Sequence, residues 1–166
     1  MYSRRQILLA GGGLGVALLA GGMLKKINMI TPAEAAETFE VNHTEAQWHA
    51  LLSAEQYAIL REEGTERPYS SALNSEHRDG TFACAGCALA LFSSATKFDS
   101  HTGWPSFWQP LDNAVASHVD TSFGVVRKEI HCRRCGGHQG HVFDDGPAPT
   151  GLRYCMNGAA MTFTAA

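Results

Sequence analysis

Five cysteines are distributed unevenly along the 166 residues. Cys84 and Cys87 form one Cys-x-x-Cys pair, Cys132 and Cys135 a second, and Cys155 stands alone near the C-terminus. Arg153 lies two residues before Cys155 and Asn157 two residues after it, within Gly151-Leu152-Arg153-Tyr154-Cys155-Met156-Asn157-Gly158. In a strand, residues two apart point to the same face, so a cation, a thiol and an amide would line one side of one strand. A neighbouring cation lowers a thiol's pKa and raises its thiolate fraction. The alternative is that Cys155 is only a small buried hydrophobe.

The two pairs narrow that choice. Four thiolates complete a tetrahedral shell around Zn²⁺, each Cys-x-x-Cys knuckle supplying two ligands from one turn. Arg127, Arg133 and Arg134 would offset the site's negative charge. Two structural disulfides are the alternative for an exported chain; a redox Cys-x-x-Cys lacks the helix-opening context such a motif needs. A closed four-cysteine shell leaves no open position, so its role is structural. Cys155 is then the one thiol left for chemistry.

Two further stretches carry candidate groups. Gly136-Gly137-His138-Gln139-Gly140-His141-Val142-Phe143 follows the second knuckle. Its glycines suggest a loop that presents His138 and His141 as acid or base groups near neutral pH. A metal-binding histidine pair, as in a zinc hydrolase, is the competing reading. His101-Thr102-Gly103-Trp104-Pro105-Ser106-Phe107-Trp108 holds two tryptophans about a rigid turn. Trp104, between Gly and Pro, suits a pocket wall; Phe107 and Trp108 read as core.

The elements that must position these groups are short. Thr44 can cap a helix bearing Trp48, Leu51 and Leu52. Ser53-Ala54-Glu55-Gln56 fits a capping box for a second helix running to Glu63 and stopped by Gly64. From Pro68 onward the pattern turns to short strands. Asp79-Gly80 reads as a hairpin turn. Strands are predicted near 81–83, 88–92, 124–130, 152–155 and 160–164. The fold class is mainly β: a small antiparallel sheet domain with two flanking N-terminal helices and a four-cysteine zinc site.

The N-terminus reads differently. Arg4-Arg5 opens an apolar, glycine-rich run to Leu24, and Ala33-x-Ala35 follows. This is the pattern of a twin-arginine signal cleaved near Ala36, which implies export of a folded, metal-loaded protein to the periplasm. An uncleaved anchor is the alternative. The expected organisation is a signal peptide over 1–35, a linker over 36–43 and one domain over 44–166. Without the leader, nine basic and fifteen acidic residues remain, a net charge of −6 with His neutral. That balance argues against nucleic acid or an anionic membrane as partner.

Taken together, Cys84-x-x-Cys87, Phe98-Asp99-Ser100, Gly103-Trp104-Pro105-Ser106-Phe107, Cys132-x-x-Cys135-Gly136-Gly137-His138-x-Gly140-His141-Val142-Phe143-x-Asp145-Gly146-Pro147 and Arg153-Tyr154-Cys155-x-Asn157 resemble methionine sulfoxide reductase B. The resemblance spans about Glu45 to the C-terminus. It implies reduction of the R epimer of methionine sulfoxide in oxidised proteins and peptides, on a small β domain with a structural zinc. It implies Cys155 as nucleophile, Trp104 and Phe143 at the substrate, and His138, His141 and Asn157 at the sulfoxide oxygen. Arg153 would support the thiolate.

Three positions depart from that pattern. Thr102 stands where many members carry a resolving cysteine, so the Cys155 sulfenic acid would need an external thiol, a thioredoxin-like protein or a small molecule, or else a zinc-ligand cysteine at the cost of the metal site. His101 replaces a usual glycine, which could add a donor at the rim or narrow the pocket. Gly158-Ala159-Ala160-Met161 replaces a more polar run, which would loosen support behind the nucleophile. A zinc-ribbon interaction module with an inert Cys155 is the alternative from a different functional class.

Overall fold

The computed structural model describes residues 38–166. The twin-arginine motif and its expected cleavage site lie outside the described residues. Among the described residues, no helix is long and apolar enough to cross a membrane.

Both helices begin as their capping residues dictate. Thr44 and Gln47 close a reciprocal capping box at α1 (Glu45–Leu51), and Ser53 and Gln56 do the same at α2 (Ala54–Glu62). Each box satisfies amide donors that a helix start otherwise leaves unpaired. Trp48 and Leu52 are buried as expected, but Leu51 is 60% exposed because it falls on the far side of α1. The left-handed residue ending α2 is Glu63 (φ 56°), not Gly64. Gly64 is needed for space instead: a Cβ there would stand 2.7 Å from the Ala58 carbonyl oxygen.

Among the described residues nine strands follow, all antiparallel. β1 (Gly80–Cys84), β2 (Ala90–Ser93) and β9 (Met161–Ala165) form a three-stranded sheet in the order β2-β1-β9. β3 (Lys97–Phe98), β4 (Ser106–Phe107), β5 (Val115–Asp120), β6 (Arg127–Cys132), β7 (His138–Phe143) and β8 (Arg153–Met156) form a second, ordered β3-β4-β8-β7-β6-β5. Phe107 of the larger sheet stacks on Phe92 (ring centroids 4.3 Å apart) and meets Phe82 edge-on at 5.0 Å, so the apolar core lies between the sheets. All three rings are fully buried.

Several strand expectations are corrected. Asp79-Gly80 is no hairpin turn: Gly80 opens β1, and the turn joining β1 to β2 is the first cysteine knuckle. The strand placed at 124–130 begins only at Arg127, and Val125 and Val126 are exposed. The stretch read as a histidine loop is strand β7. β5 was not anticipated, since its Ser117, His118 and Val119 face solvent and give no apolar alternation.

The burial difference within α1 sets the first prediction. Trp48→Ala should lower unfolding stability by about 3–5 kcal/mol, the usual cost of removing a buried aromatic side chain. Leu51→Gln should stay within about 0.5 kcal/mol of the parent. Chemical denaturation of both variants checks this; equal losses would contradict the assigned helix face.

Candidate active site

The four paired cysteines converge. Cys84 and Cys132 end β1 and β6, and Cys87 and Cys135 sit in the turns that follow. The two knuckles are built alike: the fourth residue after each first cysteine, Ala88 or Gly136, is left-handed and donates its N–H back to that cysteine's carbonyl. Cys84 Sγ lies 3.7 Å from Cys135 Sγ, and Cys87 Sγ 3.5 Å from Cys132 Sγ. A disulfide needs about 2.05 Å, whereas sulfurs around a tetrahedral Zn²⁺ lie about 3.8 Å apart. All four fall within 4.8 Å of one another, so the donor set fits a metal ion.

The arginines are distributed otherwise than expected. Arg134 donates to the Cys87 carbonyl, but Arg127 pairs with Asp120 at 2.6 Å and Arg133 is exposed. Arg61 of α2 donates to the Cys135 carbonyl at 3.0 Å.

Cys155 lies on β8 in a lateral row across the larger sheet. Ser106 of β4 pairs with Cys155, Cys155 with His141 of β7, His141 with Glu129 of β6, and Glu129 with His118 of β5. Directly paired residues project to the same face. Gly140 lets β7 approach: its φ is 153°, and a Cβ there would run into the Cys155 carbonyl oxygen. Thr102 Oγ1 stands 3.8 Å from Cys155 Sγ, and Ser100 Oγ bridges Thr102 and Ser106 at 2.8 and 2.7 Å. Burial pushes the Cys155 thiol above its ordinary value, outweighing the Thr102 hydroxyl, the Arg153 charge and Ser106. The neighbouring cation moderates the thiol rather than deciding its state.

His138 and His141 share a face despite being three residues apart. In a regular strand that spacing would oppose them. The β6–β7 register shifts between Ile130 and His131, so Gln139 is an extra residue that re-aims His138. Their rings meet edge-on at 5.5 Å. Each holds its own carboxylate: His138 Nδ1 is 2.6 Å from Glu129 Oε1, and His141 Nε2 is 2.8 Å from Asp120 Oδ2. Burial would push Glu129 up, but hydrogen bonds from His131 and His138 win and hold it down at about 2. Ser122, His141 and Arg127 hold Asp120 well below the usual carboxylate range. Burial draws His141 below the ordinary imidazole value, against the pull of Asp120. A cleft of about 440 Å³ opens over these groups, bordered by Gly64, Thr65, Asp120, Glu129, His138 and His141.

Arg153 is fixed by a two-point pair to Asp145 (2.8 and 2.9 Å) and stacks on Phe143 at 4.4 Å. Asn157, expected on the cysteine's face at the sulfoxide oxygen, lies just beyond β8 and has its amide spent on backbone. Oδ1 accepts from Glu66 N at 3.0 Å, and Nδ2 donates to the Gln139 carbonyl at 3.1 Å. Glu66, 6% exposed, was not singled out from sequence. Its carboxylate accepts from Gly158 N and Ala159 N at 2.7 and 2.8 Å, and its carbonyl accepts from Trp104 Nε1 at 3.1 Å. Burial raises the Glu66 carboxyl against those amide donors. Gln139 was also missed; its Nε2 donates to Cys84 Sγ at 3.5 Å, linking the sulfur cluster to the Asn157 backbone.

The two remaining departures from the sequence pattern resolve physically. His101 neither narrows nor lines the site: its exposed side chain pairs with Asp99 at 3.3 Å, and its φ of 58° is the left-handed conformation that favours glycine. The run after Asn157 is not loose. Glu66 clamps Gly158 and Ala159, and Ala160 and Met161 are core residues.

The environment of Cys155 predicts its reactivity. Alkylation at Cys155, followed on its own peptide by mass spectrometry, should rise with pH with a midpoint above the ~8.5 of a free thiol. Arg153→Met removes a stabiliser of the thiolate and should move that midpoint higher still. A midpoint below the free-thiol value, or one unmoved by the substitution, would contradict the balance described.

Comparison with known proteins now adds a separate line of support. Residues 52–165 match the SelR domain. A protein of Thiobacillus denitrificans named peptide methionine sulfoxide reductase MsrB is 55% identical over 121 residues, 72% of this chain and 92% of the relative. Its namesake in Bradyrhizobium diazoefficiens is 56% identical over 126 residues, covering 74% and 88%. That of Leptospira interrogans is 52% identical over 126 residues, covering 75% and 96%.

Proposed function

The chain belongs to the SelR-domain family of MsrB peptide methionine sulfoxide reductases, and from that membership we propose a mechanism in which Cys155 is the nucleophile. The reaction is reduction of the R epimer of methionine sulfoxide in oxidised proteins and peptides to methionine, an oxidoreductase activity. The observation that carries the role assignment is the paired row Ser106, Cys155, His141 and Glu129, with the cleft open beside it.

The Cys155 sulfur attacks the sulfoxide sulfur as a thiolate. The sulfoxide oxygen passes to Cys155 as a sulfenic acid while methionine leaves. The methionine sulfur is reduced by two electrons and the cysteine sulfur oxidised by two. Burial raises the thiol's pKa, so as it ionises its proton passes to the neighbouring imidazole of His141, from which it goes on to the sulfoxide oxygen. Arg153, Thr102 and Ser106 favour the thiolate. His138 and His141 give the oxygen its proton, with Glu129 and Asp120 orienting the two rings. Trp104, anchored through its indole N–H to Glu66, serves as the wall for the substrate methyl group. Phe143 has one face covered by Arg153, which makes it chiefly a platform for that guanidinium. Asn157 acts as a positioning residue behind the nucleophile.

Cys84, Cys87, Cys132 and Cys135 would hold a structural Zn²⁺. With its shell closed, that ion supplies no open position for chemistry and only fixes the two knuckles. The cycle then needs an external thiol. Thr102, a hydroxyl 3.8 Å from the Cys155 sulfur, occupies the resolving position, and the remaining cysteines belong to the sulfur cluster. One thiol displaces water from the sulfenic acid to give a mixed disulfide; a second releases Cys155. A thioredoxin-like protein or small thiol fits that role.

Turnover with the separated epimers and a small dithiol tests the activity. R-sulfoxide should be reduced, S-sulfoxide should not, and Cys155→Ser should lower the R rate by at least ~10³-fold, the scale seen when an acting nucleophile is lost. A substantial rate in that variant, or activity on S alone, would overturn the reading.

The Arg4-Arg5 motif and the Ala33-x-Ala35 pattern support twin-arginine export, cleavage near Ala36 and a periplasmic location without lasting membrane attachment. Replacing Arg4 and Arg5 by Lys should leave the protein in the cytoplasmic fraction; unchanged export would contradict this route.

A further inference from the structure

Outside the sulfur cluster, a second set of metal-ligating groups gathers on the larger sheet. His118 of β5 pairs directly with Glu129 of β6, and His131 lies two residues further along β6. The strand period of two therefore puts all three side chains on one face. His118 Nδ1 is 3.1 Å and His131 Nδ1 2.9 Å from Glu129 Oε2, and the three donor atoms lie within 4.8 Å of one another. Glu129 and His131 are buried, while His118 is half exposed.

We propose that His118, Glu129 and His131 form a second, weaker zinc-binding site whose occupation slows the reductase by drawing Glu129 away from His138. Two imidazoles and one carboxylate make the three-ligand set that zinc accepts with its fourth position left to water. Donors around tetrahedral zinc stand about 3.3 Å apart, so the two histidine distances to Glu129 Oε2 have to open by only a few tenths of an ångström. A cleft of about 280 Å³, bordered by Phe39, His118, Glu129, His131 and His138, admits the ion. Glu129 is the coupling element. Oε2 faces the two donors of the new site, and Oε1 takes the His138 ring at 2.6 Å. A cation on Oε2 competes with the histidine for that carboxylate, and the ligand's hydrogen-bond partner becomes part of the metal's surroundings. The slowing rests on the mechanism given above; the binding does not.

The test uses the full domain with its sulfur cluster loaded, in wild-type and His118→Ala forms; the half-exposed site makes that variant safe for folding. Equilibrium dialysis against Zn²⁺, with metal analysis, should find one tightly held zinc in both. A second, weaker equivalent should bind wild type, with affinity reduced about 100-fold in His118→Ala. Methionine released in a single turnover without added thiol, so that no reductant competes for zinc, should be slowed by Zn²⁺ in wild type and spared in the variant. No second equivalent, or one bound equally by the variant, overturns the site. Binding without slowing, or equal slowing in both proteins, overturns the coupling. If wild type with its sulfur cluster loaded and no zinc added yields no methionine, the mechanism fails while the dialysis still decides the site.

Discussion

Strand register is the constraint on which the rest of this site depends. Across five strands of the larger sheet, His118, Glu129, His141, Cys155 and Ser106 stand opposite one another in turn. A slip of one residue at any of these pairings would turn that strand's contribution to the opposite face. The bulge at Gln139 is part of the same constraint, because it brings His138 back to the face that His141 occupies. Asp120, Arg127, Phe143 and Arg153 lie two residues along their strands, and they brace the row: Asp120 and Arg127 behind His141, Phe143 beneath Arg153.

The register is held from its ends. β6 leads into one cysteine knuckle and β1 into the other, so the sulfur cluster joins the two sheets beyond the row. Gln139 ties that cluster to Asn157, and Glu66 ties Asn157 and the residues after it to Trp104. The Gln139, Asn157 and Glu66–Gly158 bonds among them are buried, and such bonds cost most when one partner is removed. A metal held in the cluster would therefore act on Cys155 at a distance, by fixing backbone.

What the sequence discloses follows from the range of each interaction. Both helix starts were legible, because Thr44 with Gln47 and Ser53 with Gln56 are three residues apart. The cysteine knuckles were legible because each is closed within one turn. β7 was misread because its glycines imitate a loop, although Gly140 serves close approach to β8. Glu66 and Glu129 gave no local signal: single acidic residues read as solvated, and their meaning comes from partners reached only after folding. Glu66 meets Gly158 across 92 positions. Arg153 was correctly placed beside Cys155, but the weight of burial against its charge required the packed site.

In the proposed mechanism, a thiol whose pKa burial raises, beside the Thr102 hydroxyl and on the face of His141, ionises as substrate arrives and stops at a sulfenic acid. The most direct measurement is a single turnover of R-sulfoxide without reductant, with methionine, the Cys155 oxidation state and bound zinc followed together. Methionine should form in a single equivalent per chain, Cys155 should be trapped as sulfenic acid by a dione reagent, and zinc should stay bound. Methionine formed with Cys155 still reduced, or release of zinc as Cys155 forms a disulfide with a cluster cysteine, would contradict the account.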